Sequence, residues 1–294
     1  MWRTLKDYCY VFTAKCIGQC IARLPRKLAL FIGVYLATVV FLFSHREKAK
    51  ACKHLAQSLG IGQPMVGRMV RRSFQNIGKN LMEFMQLPRM SPETLHQLVT
   101  LEGREHIDEA LAQGRGAIIL TAHFGNWELL GASILAHGYT IRGITRELRS
   151  KRLDALVSSY REKVGWQGID RDRSVREVLR CLNRNELIAI LADVDTRTRG
   201  IFVDFFGKPA YTPYSPVAFA FKTGAAILPT FIVRQPDNSH RAIIEAPLPL
   251  QQSGEKEEDL LVNTQQFTKV IESYIRRYPE QWIWMHERWK TQPE

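Results

Sequence analysis

Gly116-Ala-Ile-Ile-Leu-Thr-Ala-His-Phe-Gly-Asn-Trp-Glu-Leu-Leu130 is the stretch whose reading decides the fold. Ala117 to Ala122 has the length and the Ile-Ile-Leu content of a buried strand. Gly125 and Asn126 predict a turn and a helix N-cap, and Trp127 to Ala136 the helix itself. On this reading His123 hangs off the end of the strand and Glu128 lies in the first helical turn. A carboxylate there feels the positive end of the helix dipole, which favours its ionised form. Within reach of the imidazole it would hold one ring nitrogen protonated and support the imidazolium, making His123 a general base for a hydroxyl. A capping glutamate beside an ordinary loop histidine has the same spacing.

Outward from this junction the chain alternates strand and helix. Val99 to Ile107 reads as a strand entering a helix that runs to Gln113, and Tyr139 to Ile144 as the strand after the central helix. Glu186 to Ala192 is a further buried strand, with Asp193 and Asp195 at its end, where an open α/β sheet presents its ligand crevice. Ser215 opens a helix that Gly224 closes, Ala225–Val233 and Arg241–Glu245 are strands joined by a turn at Asn238-Ser239, and Leu260–Tyr278 is a helix. The fold class expected is α/β, a mixed sheet flanked by helices, preceded by an N-terminal helical membrane-anchoring module. The expected partition is 1–47 for the membrane-associated helices and 48–294 for the catalytic part, with a helical lead-in to about residue 99. Tyr8 to Leu24 fits an amphipathic helix. Leu28 to Phe43 is sixteen residues without a charge, somewhat short for a span. A short span, a helical pair in the interface and a buried core helix are all compatible with it.

The chain has 41 Lys and Arg against 29 Asp and Glu, a formal net charge of +12. Such a surplus points to nucleic acid, an anionic membrane, or acidic substrates and carriers. No zinc spacing, RNP-like string or helix-turn-helix stands out, so membrane and phosphate lead and nucleic acid is not expected. Arg142 to Arg184 holds twelve Lys or Arg against six Asp or Glu, a solvated helical face or a basic rim for an acidic carrier or sugar phosphates. Five cysteines (Cys9, Cys16, Cys20, Cys52, Cys181) cannot all pair and none forms C-x2-C, which reads as reduced thiols and a cytosolic catalytic part. The scattered histidines predict no metal site, and no cofactor is expected.

His123-Phe-Gly-Asn-Trp-Glu128 resembles the H-x4-D/E motif of glycerolipid acyltransferases, in the form used by the late lipid A acyltransferases. Leu191-Ala-Asp-Val-Asp195 resembles that family's L-x-D-Q-D block, and Gly200-Ile-Phe-Val-Asp-Phe-Phe-Gly-Lys-Pro-Ala210 its G-x-F-V-P-F-F-G-x-P-A block. Pro279-Glu-Gln-Trp-Ile-Trp-Met-His-Glu-Arg-Trp-Lys290 is similar to its P-E-Q-W-x-W-x-H-x-R-W-K signature, and Tyr160-Arg-Glu-Lys-Val-Gly165 to its R-x3-G segment. The order and spacing cover roughly residues 100 to 290. Val194 stands where the family has Gln, and Asp204 where it has Pro.

The resemblance implies transfer of an acyl group from acyl-carrier protein, or coenzyme A, to a hydroxyl of a lipid A precursor at the cytoplasmic face of the inner membrane, by a monomer. His123 would be the base and Glu128 its support. Arg161, with amides near Gly125 and Asn126, would meet the donor or the oxyanion; Asp193, with Asp195, would position Arg161. Arg146, Phe205, Phe206 and Lys208 are the expected substrate contacts, the phenylalanines at a lipid-facing opening. Mannosylated phosphoinositides as acceptors, a thioesterase and a non-catalytic membrane-surface protein are the alternatives.

Overall fold

The structure, a computed structural model, describes residues 2–148, 150–171, 174–196 and 198–293. Four helices come first: α1 (Trp2–Ile21), α2 (Arg26–Phe43), α3 (His45–Leu59) and α4 (Gln63–Gln86). They are followed by α5 (Pro92–Leu98), β1 (Val99–Glu102), α6 (Arg104–Ala112), β2 (Ala117–Thr121), α7 (Trp127–Ala136), β3 (Ile141–Thr145), α8 (Lys151–Glu162) and β4 (Gln167–Asp170). The rest is α9 (Ser174–Asn183), β5 (Leu187–Leu191), β6 (Gly200–Phe205), β7 (Lys208–Pro213), α10 (Ser215–Thr223), β8 (Ala226–Arg234), β9 (His240–Ile244) and α11 (Lys256–Arg277).

Seven strands form one mixed sheet in the order β1-β9-β8-β2-β5-β3-β4. Every residue of β2 is buried, which explains its unbroken apolar run: helices cover both faces. β2 runs parallel to β8 on one side and to β5 on the other, while β8 and β9 are antiparallel. One apolar layer holds Ile118, Ile188, Phe231 and Tyr274; the other holds Ile119, Leu129, Ile134 and Leu228.

Two elements depart from the expectation. Gln167–Asp170 is an edge strand whose polar sequence gave no strand signal. The segment whose phenylalanines are expected at a lipid-facing opening is a two-stranded antiparallel hairpin, β6 on β7, turning at Phe206 and Gly207. Both turn residues have positive φ, 58° and 75°, as a type I′ turn requires. Phe206 tolerates this because its amide donates to Glu272 Oε2 and its ring packs edge-on to Phe205 and tilted against Trp284.

α2 does not stand away from the sheet domain; it lies antiparallel along α4. Arg26 pairs with Glu83, Gly33 abuts Gly78, Gln75 donates to Thr38 Oγ1, and Phe41 meets Phe74 edge-on. A Cβ on Gly33 or Gly78 would run into the other helix's backbone, so this close approach depends on both glycines. The opposite face of α2, including Phe31, Tyr35, Val40, Leu42 and Phe43, is exposed. α2 is the one helix among the described residues long and apolar enough to cross a membrane. Cys16, Cys20, Cys52 and Cys181 are unpaired thiols; the Cys9 side chain lies outside the described residues.

Glu83 is fully buried and gathers partners from four elements. Arg234 reaches it through both terminal nitrogens, Arg26 through one, His240 Nε2 at 3.3 Å and Asn126 Nδ2 at 2.8 Å. Burial opposes the charge, but His240 and the Arg234 guanidinium outweigh it and hold the carboxyl well below its ordinary range. Glu83→Ala would strand buried cations and is expected to cost about 3–5 kcal/mol in chemical denaturation. Glu102→Ala, which removes the exposed partner of Arg241, should cost less than about 1 kcal/mol in the same measurement.

Candidate active site

Strand register builds the site. Thr121 of β2 pairs with Leu191 of β5, so two residues beyond each strand end His123 stands beside Asp193. His123 Nδ1 lies 2.9 Å from Asp193 Oδ1. Asp193 is fully buried, and its second oxygen accepts from Trp282 Nε1 at 2.8 Å. Burial disfavours the Asp193 charge, yet His123 and the Trp282 N–H overcome this and hold the carboxyl far below the usual carboxylate range. An ionised carboxylate only accepts, so the Nδ1 proton belongs to the histidine and Nε2 is left as the basic nitrogen.

The turn carrying His123 is fixed from behind. Gly125 has φ 57°, and a Cβ there would overlap the Ile232 carbonyl. Its N–H donates to Gln281 O at 2.9 Å and its carbonyl accepts from Asn80. Asn126 caps α7 through Leu129 N and hands its amide group to Glu83. The expected oxyanion role of Gly125 and Asn126 is therefore corrected. The Gly125 amide is already committed, and Asn126 is buried under the helix start.

Glu128 and Arg161 correct the expected pairing as well. Glu128 forms a two-pronged ion pair with Arg161, Nε to Oε2 at 2.9 Å and Nη2 to Oε1. Burial works against the Arg161 charge, but Glu128 more than restores it and raises its pKa. The two acids have exchanged the roles expected of them: Asp193 holds His123, and Glu128 holds Arg161. The reason is directional, since the first turn of α7 faces α8 while β5 runs directly beside β2.

His123 stands where two hollows meet. A narrow one of about 210 Å³ runs between the sheet, α7 and α8, with His123, Glu128 and Arg161 in its wall. A wide cleft of about 1650 Å³ opens on the other side, lined by His123, Asp195 and apolar residues such as Phe219, Leu260 and Met285. Arg146 borders both hollows. Arg171, Arg199, Lys222, Lys256 and Lys290 also line the wide cleft, against the acids Asp195 and Glu287. Asp195 accepts from Thr291 Oγ1, and its carbonyl accepts from Lys290, so it braces the cleft wall rather than Arg161.

Phe205, Phe206 and Lys208 are corrected too. Phe205 and Phe206 are buried in the core beside Trp282, Trp284 and Trp289, because the hairpin turns them inward. Lys208 sits over Trp289 and donates to Gln57, and none of the three borders either hollow. Sequence reasoning missed Trp127 and His286, whose rings lie 5.2 and 5.0 Å from that of His123. Burial, then the His123 charge, lowers the His286 pKa. Trp282 and His286 belong to the Pro279–Lys290 block; only the fold shows which of its members face the site.

A family profile described as bacterial lipid A biosynthesis acyltransferase matches residues 3–291. The phosphatidylinositol mannoside acyltransferase of Mycobacterium tuberculosis (strain CDC 1551 / Oshkosh) is 32% identical over 186 residues, 60% of this chain and 58% of that protein. This chain thus spans a little over half the length of that relative. The lipid A biosynthesis lauroyltransferase of Escherichia coli (strain K12) is 27% identical over 281 residues, 93% of this chain and 89% of that protein. The crystal structure of a 1-acyl-sn-glycerophosphate acyltransferase from Thermotoga maritima aligns with a TM-score of 0.38 at 17% identity, covering 85% of this chain and 98% of that one.

The depressed Asp193 pKa has a consequence for stability. A lowered folded-state pKa stabilises the fold above the ordinary Asp value of about 3.9, and that contribution disappears as pH falls through the folded value. Wild type is therefore expected to exceed Asp193→Asn in stability at neutral pH. The gap should shrink steadily below about pH 4 in denaturation curves.

Proposed function

This chain belongs to the bacterial lipid A biosynthesis acyltransferase family, and on that premise we propose that it moves a fatty acyl group from a carrier-bound thioester to a hydroxyl of a lipid A precursor. The observation that carries the reading is the His123–Asp193 pair at the junction of the two hollows. Nε2 of His123 takes the proton of the acceptor hydroxyl as that oxygen attacks the thioester carbonyl. The tetrahedral oxyanion forms beside Arg161, whose position Glu128 fixes. Collapse expels the thiolate, which takes the proton back from His123, leaving an ester and a free thiol. No enzyme nucleophile is needed.

The wide cleft suits the acceptor. Its six basic side chains fit a phosphorylated sugar headgroup, and its apolar wall fits the chains that headgroup already carries. Lys151, Lys163, Arg176 and Arg180 are exposed on and beside α8 and α9, a face suited to an acidic acyl-carrier protein. The chain would sit at the cytoplasmic face of the inner membrane. There α2 lies in the plane of the interface rather than crossing it: a crossing would drag α4, with Arg68, Arg71, Arg72 and Lys79, into hydrocarbon.

Two outcomes test these assignments. With a labelled acyl-carrier thioester and bacterial membrane lipids as acceptors, wild type should label a lipid A precursor, read by mass spectrometry. His123→Ala and Asp193→Asn should lose on the order of 100-fold or more in rate with the fold intact. Label in a mannosylated phosphoinositide, or free fatty acid at the full wild-type rate, would replace the acceptor or the reaction class. In a cysteine-free background, single cysteines at Lys27 and Ser44 should both react with an impermeant maleimide from the same side of the membrane. Reaction from opposite sides would mean that α2 spans.

A further inference from the structure

We propose that Trp166 is the floor of the narrow cavity and sets the longest acyl chain this protein accepts; the proposal rests on the acyl-transfer reading above. The cavity begins at His123 and runs down one face of the sheet. Register places Ile119, Ala189 and Gly143 side by side on β2, β5 and β3, one two-residue step below the row of Thr121 and Leu191. Two of those three residues are small, so the row leaves a hollow where larger side chains would have filled the layer. Ile141, Leu130 and Val157 complete an apolar wall, as a saturated chain would require.

The hollow ends on one side chain. The Trp166 indole lies across Gly143 of β3 and Gly131 of α7, and a Cβ at either glycine would overlap its ring. The same ring lines a second, polar groove of about 310 Å³, bordered by Glu147, Ser158, Gln167 and Asp170. Trp166 is thus the apolar part of the partition between the two spaces, which Thr145, Asp154 and Arg161 complete. Its indole N–H is buried and has no hydrogen-bond partner among the described residues. Buried tryptophans ordinarily find one, so this ring is placed for its bulk and not for a hydrogen bond. An engineered cavity of about 150 Å³ takes the six carbons of benzene, which scales the 210 Å³ cavity to about eight or nine carbons.

The test is binding of saturated acyl-coenzyme A, butanoyl to stearoyl, to the full chain in detergent by titration calorimetry; these thioesters carry the acyl-thioester group and need no acceptor. For wild type, affinity should rise by up to about fourfold per added carbon and stop rising at the length that fills the cavity. In Trp166→Ala the partition is open, and the break should move out by about four carbons; Trp166→Leu, which leaves less of a hole in the fold, should move it part of the way. A break at the same length in wild type and in a folded Trp166→Leu or Trp166→Ala overturns the role of Trp166 while leaving the transfer reading intact. If wild type binds none of these thioesters, nor the same acyl groups on acyl-carrier protein, the transfer reading fails and the floor assignment with it.

Discussion

The His123–Asp193 hydrogen bond is the contact on which the chemistry depends, and it follows from the pairing of two buried strands. Because β2 and β5 run parallel and side by side, a histidine and an aspartate seventy residues apart in sequence leave their strand ends together. Burial makes the pairing consequential. A carboxylate with no access to water needs its full complement of donors, and Asp193 has two, the imidazole and the Trp282 indole. Fixed this way, the imidazole cannot change tautomer without leaving a buried charge uncompensated.

A second constraint ties the anchor to this turn. Glu83 of α4 accepts from Arg26 at the start of α2 and from Asn126 at the start of α7, so one buried carboxylate joins the apolar helix to the helix behind His123. Asn80, one turn earlier on α4, holds the Gly125 carbonyl. The N-terminal helices are thus built into the support of the site, and a lipid surface against α2 would sit at a fixed distance from the cleft.

Much of this was legible in the chain, and what was not has a physical reason. Both ends of α7, and β2 to within a residue, follow from an unbroken apolar run and an asparagine cap. β4 was missed because an edge strand with one buried residue of four carries no apolar pattern. The partners of His123 and Arg161 were exchanged because spacing reports neighbours along the chain, whereas strand order decides neighbours across the sheet. Phe205 and Phe206 read as a greasy opening and lie in the core; the type I′ turn that points them inward rests on a phenylalanine at positive φ, which no propensity would anticipate. Trp166 was invisible for the same kind of reason, since its meaning lies in two glycines from other elements.

The most direct check of the central contact is nitrogen-15 NMR of the His123 ring in its neutral form. A proton on Nδ1 and a bare Nε2, with that preference lost in Asp193→Asn and kept in Glu128→Gln, is the result the geometry requires. A proton on Nε2 in wild type, or a tautomer that responds to Glu128 and ignores Asp193, would contradict it.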